Sequence, residues 1–438
     1  MSMNIGSKLI NQLGSTNSLI PLATKEVFDS AGQTYFSHKA GGKIEAKDRL
    51  VDEVGTGALW LFGIPTFKKV IDKTIFKKAG ISPVIDTRLI KDNNLLKKAI
   101  ENAPTEEIAN ELKKAGNNIS KVKNLNCLKF GLSLGLTLLS YFGLTKFKQN
   151  MTQKNIEKEF LQKQMQKTPP YYEQNPIFDN FTKTKKTNSP SFGSARIIKV
   201  AENIMLDPIK NMMVLDGCIS AERLSHSRTK GEFAENAIKE GSFLFFIYGA
   251  GELIKKGIET GAKKFFNAPI NLDAKFLGSD LAEKVLTDKK AQSDIIEFAK
   301  QFGKNSNIEE LYEFILKNQN HTVVNAAKKS GIISTTKNGK IDTRKFIDGK
   351  ELKKLSDDLI TFINSSKNAK DIKKYLEKTK NFKIISTILN IGICCLSLGY
   401  IVPKAMYNYR SKNQNGKTDF HVKTEYEKEL AKKFLTWL

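Results

Sequence analysis

Arginine is the scarce cation of this chain. Of 71 basic residues against 46 acidic ones, seven are Arg (Arg49, Arg88, Arg196, Arg223, Arg228, Arg344 and Arg410) and the rest are Lys. Specific reading of bases and phosphates leans on the bidentate guanidinium fork, so a formal charge of +25 built from lysine points away from sequence-specific nucleic-acid binding. Anionic lipid is the partner that a diffuse positive charge attracts instead. Cysteine is equally sparse: Cys127, Cys394 and Cys395 lie in apolar runs and Cys218 in an amphipathic stretch. None has CxxC spacing, and adjacent Cys394 and Cys395 do not make a metal site unaided, so cysteine says little about redox compartment and small buried hydrophobes are the expected reading.

Histidine offers no more chemistry. His38, His226, His321 and His421 stand singly, without the i, i+4 or glutamate partners of a zinc or hydrolase site. No Walker loop, no strand-linked GxGxxG and no GxSxG is present. Residues Ser334 to Lys345 imitate the spacing of a calcium loop, yet its first and twelfth positions are Ser and Lys, without the coordinating carboxylates. No cofactor, metal or enzymatic activity is expected. The first residues, MSMNIGSKLINQLG, lack the charged-then-apolar layout of a secretory leader, so no cleaved signal is expected.

What the chain does contain is a repeat of itself. At an offset of 187, Pro21 meets Pro208, Glu45 meets Glu232, Asp48 meets Glu235 and Glu53 meets Glu240. After one deletion GTGALWLFG (Gly55 to Gly63) lies on GSFLFFIYG (Gly241 to Gly249), glycine on glycine at both ends. KKAGI (Lys77 to Ile81) then matches KKSGI (Lys328 to Ile332), and IDTR recurs unchanged as Ile85 to Arg88 and Ile341 to Arg344. Asp92 falls on Asp348, and Gly135 on Gly392. The collinear order predicts a tandem duplication, and two copies argue against a solenoid. It divides the chain into a first repeat (1–150), a polar Lys/Thr/Asn/Pro linker (151–195), a second repeat (196–410) and a tail (411–438) with an amphipathic helix over 420–438. The second copy carries a helical insertion over about 257–320, with Ser293 and Asn307 as N-caps. Asn338-Gly339 predicts a type I′ hairpin turn just before the second IDTR.

Each copy ends in a long apolar run. Residues 127–145 hold one charge, Lys129, and 384–402 hold none. At about 1.5 Å per residue each spans roughly 28 Å as a helix, near the ~30 Å hydrocarbon core of a bilayer. Lysines bracket both runs: Lys121, Lys123, Lys146 and Lys148 around the first, Lys380, Lys383 and Lys404 around the second. Such residues reach headgroups at the membrane surface. Shorter apolar segments, 54–67 and 241–254, are long enough for half-inserted helices or short spans. Gly135 and Gly392 leave room for close helix contact, within the chain or between copies. Asp86 and Asp342 are expected to cap the helices after them, with Arg88 and Arg344 pairing to acids.

The expected fold is therefore all-α: two copies of a mostly helical, membrane-associated module with two to four hydrophobic helices in the bilayer. The expected function is that of a non-enzymatic, multi-pass membrane protein of scaffold or envelope type, contacting anionic lipid through its lysine flanks. The rival is a soluble or peripheral helical protein that binds a partner or nucleic acid through basic faces. A transporter is disfavoured, because only Lys129 and Asn390 bring polarity near mid-run.

Overall fold

The computed structural model describes residues 20–165, 208–266, 268–302, 307–367 and 369–435, and these residues are all-α. Helices α1 (Ile20–Ala58) and α2 (Ile64–Ile71) are followed by α3 (Lys77–Ala79), α4 (Thr87–Ile90), α5 (Asn93–Glu101) and α6 (Glu106–Gly116). The long α7 (Ile119–Met165) closes the first half. The second half comprises α8 (Pro208–Ser225), α9 (Lys230–Leu244), α10 (Gly251–Phe266), α11 (Ala274–Leu277), α12 (Asp280–Thr287), α13 (Lys289–Gln301), α14 (Ile308–Lys317) and α15 (Thr322–Ser330). It ends with α16 (Gly349–Ser366), α17 (Ile372–Leu396), α18 (Val402–Asn413) and α19 (His421–Leu435). Most of the proline-rich linker lies outside the described residues; its start is helical as far as Met165.

The chain forms two compact units. Unit 1 comprises residues 1–29, 63–133 and 243–400; unit 2 comprises 30–62, 134–242 and 401–438. Unit 1 has the core of a water-soluble helical domain. Ile90, Leu112, Phe276, Val285, Tyr312, Ile315, Leu359 and Phe362 are among its buried apolar side chains. Its short helices start on side-chain caps: Asp92, Thr105, Asp288, Asn307, Asp348 and Asp371 each accept from a backbone N–H of the first turn. Such caps satisfy donors that a helix cannot satisfy itself. Ser293, expected as a cap, lies inside α13; Asp288 starts that helix and Asn307 starts α14 as expected.

In unit 2, Ile156, Phe420 and Val422 form an apolar cluster with Ile44 and Tyr426 against it. That cluster seats α19 on α7, and Lys423–Glu159 at 2.7 Å reinforces it. The amphipathic tail thus docks on the helical body. The remaining interior of unit 2 mixes buried apolar side chains, Trp60, Leu215, Ile219 and Met406 among them, with an unusual number of charged ones.

Several positions paired by the internal alignment share local structure. Leu59–Gly63 and Phe245–Ala250 both widen into a π-turn. Gly80 and Gly331 both end a helix in the left-handed region, at φ 67° and 77°, where a Cβ is disfavoured. In both IDTR copies the aspartate accepts from the arginine's own N–H and takes its guanidinium, and the two turns meet through Asp86 N–H donating to Arg344 O at 2.9 Å. Arg344 also reaches Glu111 at 3.0 Å. Asp86 caps α4 as expected. Asp342 does not start a helix: its turn runs on to Asp348, which caps α16 instead. The expected hairpin is reduced to one bridge, Thr335 to Ile341. There Gly339 has positive φ and Asn338 does not, which excludes type I′.

Among the described residues two helices are long and apolar enough to cross a membrane, within Ile119–Gln164 and Ile372–Asn413. Their outward faces are the informative feature. On α7 every exposed position from Cys127 to Gly143 is apolar: Cys127, Leu128, Gly131, Leu132, Leu136, Leu139, Phe142 and Gly143. From Ile385 to Ile401 the exposed positions are Ile385, Ile388, Leu389, Gly392, Ile393, Leu396, Tyr400 and Ile401. The exposed positions just beyond are polar: Asn124 and Lys146 on α7, Asn381 before the second face and Lys404 after it. Each face is 17 residues long, or about 25 Å. The inward positions on α7 carry hydroxyls instead, Ser133, Thr137 and Tyr141. A helix packed for water has the reverse pattern.

Candidate functional site: a buried charge network

The charged interior of unit 2 follows from two helix faces. On α1, Glu45, Asp48, Arg49, Asp52, Glu53 and Thr56 recur at helical spacing and are all buried. On α9, Glu235, Asn236, Lys239 and Glu240 do the same. The opposite sides of these helices are exposed and apolar at Leu50, Val54 and Phe233. Thr229 opens α9 by accepting from Glu232 N–H at 3.0 Å, while Glu232 accepts from Arg228 N–H at 2.6 Å, in the manner of a capping box.

Guanidinium forks join the two faces. Arg410, on α18, is fully buried and holds Glu45 (2.7 and 2.8 Å) and Glu235 (two bonds of 2.6 Å). Arg228 holds Asp48 at 3.2 Å and Glu232 at 2.5 Å. In the repeat register Glu45 corresponds to Glu232 and Asp48 to Glu235, so each arginine bridges opposite copies in mirrored fashion. Arg223 binds Glu240 at 2.5 Å, Asp52 at 3.3 Å, the Tyr141 hydroxyl at 2.8 Å and the Thr56 hydroxyl at 2.9 Å. Lys239 pairs with Glu53, and Lys148 with Asp52 at 3.4 Å. Thr152 donates to Asp48. Eight carboxylates (Glu45, Asp48, Asp52, Glu53, Glu222, Glu232, Glu235, Glu240) therefore face six Lys and Arg side chains (Arg49, Lys148, Arg223, Arg228, Lys239, Arg410). His226 and His421 add themselves at 3.4 Å from Glu222 and 3.0 Å from Glu235. The histidines are thus not isolated: His226 has Glu222 one helical turn before it.

Burial raises a carboxyl and neighbouring cations lower it, and at five of these acids the balance can be named. At Glu235, Arg410 and His421 overcome burial and hold the group at about 2. At Glu240, Arg223 and Lys239 likewise hold it at about 2. Asp48 is held low by Arg228 and Lys148 against its burial. Burial wins at Glu45 despite Arg410, and at Glu222, where the pKa is raised. For Glu235 and Glu240 the unfolded chain binds protons more readily than the folded one, so their stabilisation is whole above the ordinary glutamate range. It is lost as pH falls from about 4.5 to about 2. Glu45 and Glu222 work in the opposite direction and soften that loss. Emission from buried Trp60, measured in a Trp437→Phe background, is expected to shift red across this acid range. Unchanged emission would show that the network contributes nothing to unit 2.

The network's place along the helices links it to the apolar runs. Thr145, Lys148 and Thr152 follow the outward apolar face of α7, and Tyr407 and Arg410 follow Ile401. The cavity among these side chains has about 20 Å³ of free space, room for a water or two and no larger ligand. Among the described residues no group of His, Cys, Asp and Glu has the arrangement of a metal site.

Of the seven lysines read as membrane flanks, Lys121, Lys146 and Lys404 are exposed and Lys123 and Lys380 are half-buried. The other two turn inward. Lys148 serves Asp52, and buried Lys383 donates to the Ile270 carbonyl at 2.7 Å. Lys129 does not extend to a surface either: it pairs with Asp72 at 2.5 Å. Gly135 and Gly392 make no close helix contact within the chain, since a Cβ on either would meet nothing within 4 Å. The close approaches are Gly399, where a Cβ would lie 2.8 Å from the Phe28 carbonyl oxygen, and Gly55, against the Leu144 side chain. Glu45, Asp48, Asp52, Glu222, Arg223, Arg228, Glu235 and Arg410 were not singled out from sequence as a site. The available signal was the clustering of rare arginines with acids at helical spacing.

The chain matches no known family, no curated protein and no solved structure.

Proposed function

We propose that the chain is an integral membrane protein of non-enzymatic, structural type, derived by tandem duplication, in which the charge network holds together the helices of unit 2. The observation that carries this reading is the pair of outward apolar faces, equal in length and bounded by polar residues. Soluble proteins rarely expose contiguous apolar surface on this scale, whereas lipid tails are the natural solvent for it. Inside such a protein the apolar driving force between helices is weak, and polar pairs hold helices together. Unit 2 fits that logic, with arginine forks inside and Leu139, Phe142 and Val54 outside.

The mirrored roles of Arg228 and Arg410 and the shared π-turns support the duplication. The segments 54–67 and 241–254 enter the bilayer partway, as outward Phe62 and Phe245 suggest. Anionic lipid headgroups meet the exposed lysines Lys121, Lys146 and Lys404. After alkaline carbonate extraction of cells expressing the full chain, the protein is expected in the membrane pellet. Quantitative release into the supernatant, with a monodisperse species free of detergent, would favour the soluble interaction protein instead.

A further inference from the structure

One buried carboxylate stands apart from the rest of the network. Glu222 is 6% exposed, yet among the described residues no Lys or Arg nitrogen lies within 4 Å of it. Its partners are the Thr145 hydroxyl at 3.5 Å and His226 Nδ1 at 3.4 Å, both at the long limit of contact. Its Oε1 has no hydrogen bond, and the residue lines the water-sized cavity. His226 lines the same cavity, and its side chain is 55% exposed, which opens a path to solvent.

We propose that Glu222 is a proton-binding site at the mouth of the unit-2 network, filled from water by way of His226. The physical reason is charge balance. Carboxylates outnumber Lys and Arg side chains in this interior, and a buried excess of negative charge is costly. The cheapest relief is a proton on the acid with the weakest cation contacts, and seven of the eight acids have better ones. Of the charged and titratable groups that face Glu222, Asp52 on α1 opposes its ionisation, while Lys148 on α7, Arg223 on α8 and His226 in the turn after α8 favour it. Tyr141 on α7 lines the same cavity. Burial outweighs these cations and keeps the proton on the carboxyl above the usual glutamate range. The cavity has room for a water, and among the described residues no group of His, Cys, Asp and Glu is arranged to hold a metal ion, which leaves the proton as the occupant the geometry favours. The lipid-facing surfaces play no part, so this site and the membrane reading fail separately.

Infrared spectroscopy of the purified full-length protein tests it. A protonated-carboxyl C=O band is expected at mildly acidic pH, above the range in which ordinary glutamates titrate. In a Glu45→Gln background, which removes the other carboxyl that burial raises, it should shift promptly on exchange into D₂O and vanish in Glu222→Gln, while Glu232→Gln leaves it in place. Lys148→Gln, which removes a neighbouring cation, should move the band's midpoint up by about one pH unit. That variant keeps the question open to an answer if Glu222→Gln fails to fold. Absence of the band in the wild-type protein, its survival in folded Glu222→Gln, or a midpoint indifferent to Lys148→Gln would each overturn the assignment.

Discussion

Arg410→Ala is expected to destabilise the protein by about 3–5 kcal/mol, the cost of leaving two buried carboxylates without their shared cation. Four charge-assisted bonds to Glu45 and Glu235 disappear, along with the bond to the Thr418 carbonyl at 3.2 Å. Neither acid can turn to water, since both are almost fully buried. With an unfolding entropy of about 2.1 cal/mol/K per residue, a chain of 438 residues loses roughly 1 °C per kcal/mol, so the melting temperature should fall by about 3–5 °C. Arg410→Lys should lie between, because an ammonium cannot fork across two carboxylates. The triple variant Arg410→Met, Glu45→Leu, Glu235→Leu should recover much of the loss, because burying ion pairs is itself expensive. Melting of detergent-solubilised protein, followed by Trp60 emission, reads all three. A wild-type melting point for Arg410→Ala would mean that the fork holds nothing.

The double variant Leu139→Lys, Ile388→Lys separates the two readings of the apolar faces by sign. Leu139 is 64% exposed and Ile388 53%, so neither substitution disturbs packing inside the chain. Facing lipid, each lysine near the middle of a span costs about 2.5–3.5 kcal/mol on insertion scales, and the carbonate-resistant fraction should collapse. Facing water, the same change removes greasy surface and should improve solubility with the fold intact. Fractionation of the variant beside the wild type gives the answer. Higher yield of soluble, folded variant from a wild type that is itself soluble would sink the membrane reading.

Both predictions concern features that differ in how far sequence alone reveals them. Helical content was legible, because apolar spacing and capping residues are local: Asp86 and Asn307 act where their chemistry places them. The two long apolar runs were legible for the same reason. Ser293 misled because a cap competes with its neighbours, and Asp288, five residues earlier, starts the helix first. The flanking lysines misled because a four-carbon stem can reach a headgroup or a carboxylate with equal ease. Lys148 and Lys383 found partners within the fold, and nothing in their own neighbourhood along the chain announces it.

Sequence by itself determined the all-α character, the internal correspondence between halves and the length of two greasy helices, since these rest on backbone propensity, residue identity and counting. Tertiary structure decided which face of each helix is inside. A stripe of acids on one side and leucine or valine on the other satisfies an amphipathic pattern in either orientation. Only the meeting of α1, α7, α8, α9 and α18 turns the charged stripes inward, because Arg223, Arg228 and Arg410 each reach a carboxylate more than a hundred residues away. Pairing across such distances is a property of packing, and no local pattern encodes it.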